Sequence, residues 1–249
     1  MAPVNKDIHY VPGMYANRRS TGAQLAENYF RELDRKLVEA TRKKQEIEAF
    51  PTICISRKIG VGAVEIADII AKTLSYQVVD REILEHLASE ANISQKTVAA
   101  FDERYPGRMN EFFKMLFGEK SFVKSDYTRH LFGTVYSIAG LSPTLFVGRG
   151  THLILPRENV FAVRFICSDR FRIERLTGIL GADPASVKKK LVMIDKEQAA
   201  FFSRVYGKKN AEPYEFDMVI NCDCIPNPVS IAEIVSHAFR KKFPAKPAD

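Results

Sequence analysis

Two short stretches and one carboxylate in this sequence have residue types and spacing suited to handling phosphate. The first is Ser56-Arg57-Lys58-Ile59-Gly60-Val61-Gly62, a basic turn punctuated by two glycines. Glycine lets the backbone N–H groups come close to a phosphate, and a helix that starts just beyond points its positive dipole end at the anion. The second is Gly148-Arg149-Gly150, where the glycines open space around a guanidinium that can grip a phosphate through two parallel hydrogen bonds. The carboxylate is Asp80, which follows an apolar run. Each has a plainer reading: a tight strand-to-helix turn, a solvated turn arginine and a helix N-cap. The full phosphate-loop pattern is G-x-x-x-x-G-K-[ST]. Here Ala63 stands where the lysine belongs, and neither Val64 nor Glu65 supplies a hydroxyl.

The elements that must position these residues follow from hydrophobic periodicity. Residues 52–55 form an apolar run read as a buried strand, and Ala63, Ile66, Ala67, Ile69, Ile70 and Leu74 recur at helical spacing. A short strand ends at Asp80, and a helix is predicted over 81–90. Ser94 caps a predicted helix that Tyr105-Pro106-Gly107 breaks. The aromatic-rich stretch 108–124 reads as core or as a mobile substrate flap, and 125–140 as a helix. A strand at 144–147 runs into Gly148, and another is predicted at 160–167. Ser168 caps a helix that carries Arg170, Arg172 and Arg175 before Gly178. Asp183-Pro184 opens a long helix that stops at Tyr206-Gly207. A last strand at 217–221 and a closing helix at 231–243 complete the pattern. Strands alternate with helices and no hairpin signal intervenes, which predicts a five-stranded parallel sheet covered on both faces. Ligands of such sheets bind outside the carboxyl ends of the strands, where the glycine turn, Asp80 and Arg149 all fall.

The chain has 249 residues, enough for one large α/β domain with extensions. Residues 1–49 are read as a partly helical N-terminal extension, 50–243 as the main domain and 244–249 as a basic tail. In the extension, Leu25, Phe30, Leu33, Leu37 and Ile47 form an apolar stripe among charges. It reads as a surface packing helix, or as an arm for a homodimer or a protein partner. No apolar run is long enough to cross a membrane, and the N-terminus lacks the apolar core of a signal peptide. A cytoplasmic protein is therefore expected, with Cys54, Cys167, Cys222 and Cys224 as reduced, buried thiols. Cys222-x-Cys224 has the wrong spacing for a usual zinc site. The net charge of +7 fits nucleic acid or a polyphosphate pocket. The basic residues are spread out rather than arrayed in an aromatic-interleaved stripe, which favours a phosphorylated small molecule over nucleic acid.

In order along the chain stand ISRKIGVGAVEIA from Ile55, DREI from Asp80, VGRG from Val147, DKEQAAFF from Asp195, YGK from Tyr206 and DMVIN from Asp217. Over about residues 51–243 the sequence resembles the cytidylate kinase-like family of P-loop proteins. Members of that family commonly read ISRxxGSGGREIA, Asp-(Lys/Arg)-Glu-Ile, VGRG and DKERAAYY…YGK…YDLVIN. The resemblance implies a three-layer α/β/α P-loop NTPase fold with helical substrate-binding and lid segments. It implies transfer of the ATP γ-phosphoryl, with Mg²⁺, to a nucleoside monophosphate such as CMP. It places Ser56, Arg57, Lys58, Gly60 and Gly62 in the donor phosphate loop and Glu65 at the Mg²⁺. Asp80, Arg81 and Arg149 fall on the acceptor side, and Arg170, Arg172 and Arg175 where related kinases carry lid arginines. Asp195, Lys196 and Lys208 match the family's DKE and YGK positions as substrate contacts. Two departures stand out. The family's Ser-Gly-Gly-Arg is Val61-Gly62-Ala63-Val64 here, and Gln198 replaces an arginine. Loss of a single cation near a transferring phosphoryl group costs orders of magnitude in rate, although Lys58 adds a base to the loop. The alternative expectation is a catalytically degenerate, nucleotide-binding pseudokinase with a regulatory or scaffold role.

Overall fold

A computed structural model of the chain describes residues 50–89, 126–209 and 211–244, with positions 24, 27, 28, 31, 98, 99, 107, 109–111 and 114. Apart from those single positions, the expected N-terminal arm, the helix from Ser94, the aromatic stretch 108–124 and the tail beyond 244 lie outside the described residues. The four described positions of the extension are helical, and Arg31 pairs with Glu27 one turn earlier at 2.6 Å.

Eleven helices and strands carry the described part of the domain: β1 (Thr52–Arg57), α1 (Ala63–Leu74), β2 (Gln77–Asp80), α2 (Arg81–Ser89), α3 (Asp126–Leu141), β3 (Thr144–Val147), β4 (Val160–Ile166), α4 (Asp169–Leu180), α5 (Pro184–Tyr206), β5 (Met218–Asn221) and α6 (Pro228–Lys242). The five strands pair in parallel in the order β2-β3-β1-β4-β5. Successive side chains of a strand point to opposite faces, so a strand buried on both sides feeds two cores. In β1, Ile53 and Ile55 enter a core with Ile66 and Ile70 of α1 and Val235 of α6. Cys54 enters the other, with Leu84 and Leu87 of α2, Leu131 of α3 and Phe201 of α5. The result is the expected three-layer arrangement of helices on both faces of one sheet. A third, smaller cluster joins Ile59 of the glycine turn to Leu176 of α4 and Val187, Leu191 and Ile194 of α5.

Three element boundaries and the burial of one cysteine depart clearly from the sequence reading. β1 continues to Arg57 because it stays in register with β4 as far as Phe165. α4 passes through Gly178 and ends at Gly181, whose φ of 59° closes the helix. α6 begins at Pro228, since Asn227 Oδ1 accepts from the Val229 N–H at 2.8 Å and caps it. Cys224 is exposed, unlike the other three cysteines: Cys222, just beyond β5, is still tied to β4 by its N–H to the Ile166 carbonyl, whereas Cys224 lies further along the turn and donates back to the Asn221 carbonyl; all four are free thiols. No helix among the described residues is long and apolar enough to cross a membrane.

Candidate active site

The connection out of β1 runs to one side of the sheet, to β2, and the connection out of β3 runs the other way, past β1 to β4, which opens a crevice at the carboxyl ends of these neighbouring strands. The glycine turn sits in that crevice. Gly60 and Gly62 have φ of 89° and 90°, a region that side-chain-bearing residues rarely adopt. Space forbids a side chain as well. A Cβ at Gly60 would meet Leu176 Cδ1 at 3.0 Å, and one at Gly62 would meet the Arg175 guanidinium at 3.0 Å. The turn is therefore shaped to let α4 lie directly on it.

Two of the three α4 arginines bind this turn. Arg172 is buried, pairs with Asp169 at 2.7 Å and Asp195 at 2.6 Å, and donates to the Ile59 carbonyl at 3.4 Å. Arg175 pairs with Glu65 at 2.7 Å and donates to the Gly60 carbonyl at 3.5 Å. Arg170 faces solvent and pairs with Glu174 at 2.8 Å. Lys58 reaches Asp169 at 3.6 Å. Ser56 is buried and accepts from Arg164 Nη1 at 3.3 Å. The Arg57 guanidinium lies against Gly148, 2.8 Å from where a Cβ would stand, and donates to Gln198 Oε1 at 3.1 Å. Gln198 thus serves as an acceptor for Arg57, a role an arginine there could not fill.

The second half of the crevice lies between α2, α3 and α5 beyond the ends of β2 and β3. Asp80 Oδ1 accepts from the Glu82 and Ile83 amides, at 3.1 Å each, and so caps α2. Arg149 has a φ of 53° and is buried, with its guanidinium 4.1 Å above the Phe201 ring. Burial, and then repulsion from Arg81 and Arg57, pull its pKa down to about 9. Arg149 forms an ion pair with Glu85, whose carboxylate also meets Arg81 Nε at 3.3 Å. The Tyr206 hydroxyl donates to the Arg149 carbonyl at 2.5 Å and holds the turn in place. A cleft of about 750 Å³ opens beside these groups, lined by Arg81, Glu85, Tyr127, Arg149, Phe201 and Arg204 among others.

Not every expected contact converges on this cleft. Lys196 is exposed on α5, Asp195 serves Arg172, and Lys208 pairs with Glu215 at 2.8 Å. Glu215 in turn meets the buried His152 at 3.3 Å. Sequence reading passed over Glu85, Tyr127, Phe201, Arg204 and Tyr206. One signal was available: Glu85 lies four residues after Arg81, and Glu197, Phe201 and Arg204 repeat at helical spacing, which puts each set on one helix face.

A parallel sheet of order β2-β3-β1-β4-β5, with a glycine turn at the switch point leading into a helix, defines a P-loop kinase fold. The model of the cytidylate kinase-like family matches residues 52–223, and the chain belongs to that family. An uncharacterized protein from Eubacterium ventriosum shares the fold at a TM-score of 0.55 and 16% identity, over 76% of this chain and 99% of that one. Shikimate kinase from Bacteroides thetaiotaomicron aligns at a TM-score of 0.39 and 12% identity, over 76% of this chain and 96% of that one. A gluconokinase from Sinorhizobium meliloti aligns at 0.38 and 14%, over 78% and 94%. Comparison with curated protein sequences gave no match.

Proposed function

We propose that the protein is a nucleoside monophosphate kinase that transfers the γ-phosphoryl of ATP to a CMP-like acceptor. One observation carries this reading: Arg149 and Arg81 converge on one cleft, and Arg57 at the start of the glycine turn lies against Gly148 next to Arg149, so an acceptor anion in the cleft would face a donor held at the turn. In the reaction an acceptor phosphate oxygen bonds to the γ-phosphorus while the bond to the β–γ bridging oxygen breaks, and ADP leaves. Such transfer needs positioning and charge neutralisation more than covalent catalysis.

Ser56, Arg57, Lys58, Gly60 and Gly62 would form the donor side. The Arg175 guanidinium, 3.0 Å from where a Cβ at Gly62 would stand, brings positive charge to a turn that has no cation at 63 or 64. A polyphosphate held there would meet that charge once Arg175 is released from Glu65. Mg²⁺ would neutralise charge on the β- and γ-phosphates. Glu65 would be the carboxylate to contribute to it, with the nucleotide and water supplying the remaining oxygens. Because Glu65 is paired with Arg175, that contribution requires the pair to loosen. Arg81 and Arg149 would hold the acceptor phosphate, and Asp80 would fix the start of α2 beneath it. Arg172 and Asp195 would keep α4 and α5 on the turn, Arg170 and Lys196 would act from the outer face, and Lys208 would brace the end of α5.

A second reading, a nucleotide-binding pseudokinase, is favoured by Ala63, Val64 and the Arg175–Glu65 pair. Phosphorus NMR of the protein with Mg-ATP and single nucleoside monophosphates separates the two. Diphosphate signals that vanish in Arg149→Ala support the kinase. An unchanged spectrum from folded protein supports the pseudokinase.

A further inference from the structure

We propose that the Glu85 carboxylate holds the place of the acceptor's phosphate on Arg149 and Arg81, and that a phosphate monoester binds by displacing it. The inference rests on reading this cleft as the acceptor site and deepens it by naming what selects the substrate's anion.

Arg149 is committed to a counter-anion. It is 6% exposed, lies over an aromatic face, and is repelled by Arg81 and Arg57. A cation in that setting requires a partner charge. Glu85 supplies one from α2, where its position one turn after Arg81 brings both of its oxygens within 3.4 Å of Arg81 Nε. The match is partial. Arg149 Nε is buried and has no hydrogen-bond partner among the described residues. A carboxylate brings two oxygens and one charge. A phosphate monoester brings three terminal oxygens and nearly two charges, enough to serve both Nη2 and Nε of Arg149 while keeping Arg81. Glu85 is well placed to yield, because its side chain is 36% exposed and can swing into water. A neutral nucleoside offers no charge to replace it. Carboxylate-for-phosphate exchange therefore admits a phosphate monoester and rejects its dephosphorylated form, whatever the base.

The test is calorimetric titration of the full chain with CMP, inorganic phosphate and cytidine, in wild type and in Glu85→Gln. The glutamine keeps the shape and removes the competing charge. We expect CMP and phosphate to bind roughly fivefold tighter to Glu85→Gln, with cytidine unaffected. Without ligand the variant should melt lower than wild type, and it should gain more from added phosphate, since the cost of an unpaired Arg149 has moved into the free protein. A purely structural role for Glu85 would lower the melting temperature and weaken binding together. Unchanged or weaker binding of CMP and phosphate by Glu85→Gln overturns the exchange. Should that variant not fold, Glu85→Asp, which withdraws the carboxylate by one methylene, must still tighten phosphate binding; a loss of affinity there overturns the proposal equally. The kinase reading fails separately. Tightening without any product from wild type leaves the exchange standing, whereas product without tightening removes the exchange alone. No binding of either anion by any of the proteins removes both.

Discussion

Gly150 and Gly207 make a matched pair for measuring what holds the Arg149 turn. Their φ values are 69° and 67°, so alanine meets the same left-handed backbone penalty at each, about 1 kcal/mol. Their surroundings differ. A Cβ at Gly207 has nothing within 4 Å, whereas one at Gly150 would stand 2.7 Å from Tyr206 Cε2 and 2.9 Å from Cζ. The Tyr206 ring is not free to retreat. Its hydroxyl donates to the Arg149 carbonyl, and the ring stacks on Phe132 at 5.9 Å with 17° between planes. Displacing it gives up a hydrogen bond of about 1 kcal/mol and adds roughly 1–2 kcal/mol of repacking. Gly150→Ala should therefore cost about 3–4 kcal/mol and Gly207→Ala about 1 kcal/mol. For a chain of this size that is a drop in Tm of about 10 °C against about 3 °C. Thermal melts and urea titrations of the two variants read the difference. Trimming the ring as well, in Gly150→Ala/Tyr206→Leu, should recover part of the loss, because the two side chains compete for one space. Equal losses at the two glycines, or strict additivity in the double variant, would refute the reasoning.

Two further predictions concern regions beside the site. Burial pushes the His152 imidazole down from 6.5 to about 4, against the pull of Glu215. As pH falls the unfolded chain takes the proton first, so stability present above 6.5 is lost between 6.5 and 4, on the order of 3 kcal/mol. Urea midpoints measured across that range should fall less steeply in His152→Phe than in wild type. Ile59→Ala should cost roughly 2–4 kcal/mol by emptying the cluster between the turn and the α4–α5 pair. Amide exchange should accelerate in α4 and α5 more than in α1 and α6.

The parts of the fold legible in the sequence were those written in local periodicity. β1, the glycine turn and α1 appear as an apolar run, two glycines and a 3.6-residue repeat, and the parallel sheet follows from strands alternating with helices. Arg149 is legible as an arginine between two glycines at a strand's carboxyl end, but those glycines do not open space as the sequence suggests: Arg57 packs against Gly148 and Tyr206 against Gly150. The partners of the cationic residues were not. Arg175 finds Glu65 across 110 positions and Arg57 finds Gln198 across 141. Such pairs are set by the crossing of α4 and α5 over the glycine turn, which no window of sequence contains. Gly178 misled for a related reason: a glycine costs a helix about 1 kcal/mol, and packing of α4 against α5 outweighs it. The position of Asp80 admits a cap, a ligand contact or both, and the structure shows the cap.

Ile59 ties the phosphate turn to its cover through apolar contact as well as through charge. Drawing α4 and α5 away from the turn would bring Ile59, Leu176 and Leu191 into water, so the separation carries a positive heat-capacity change. Its balance must then curve with temperature. Ion pairs such as Arg172 with Asp169 and Asp195 hold across that range, while the apolar contribution weakens on cooling. Chilling the protein below its temperature of maximum stability should therefore loosen the grip of these two helices on the glycine turn, as strong heating does.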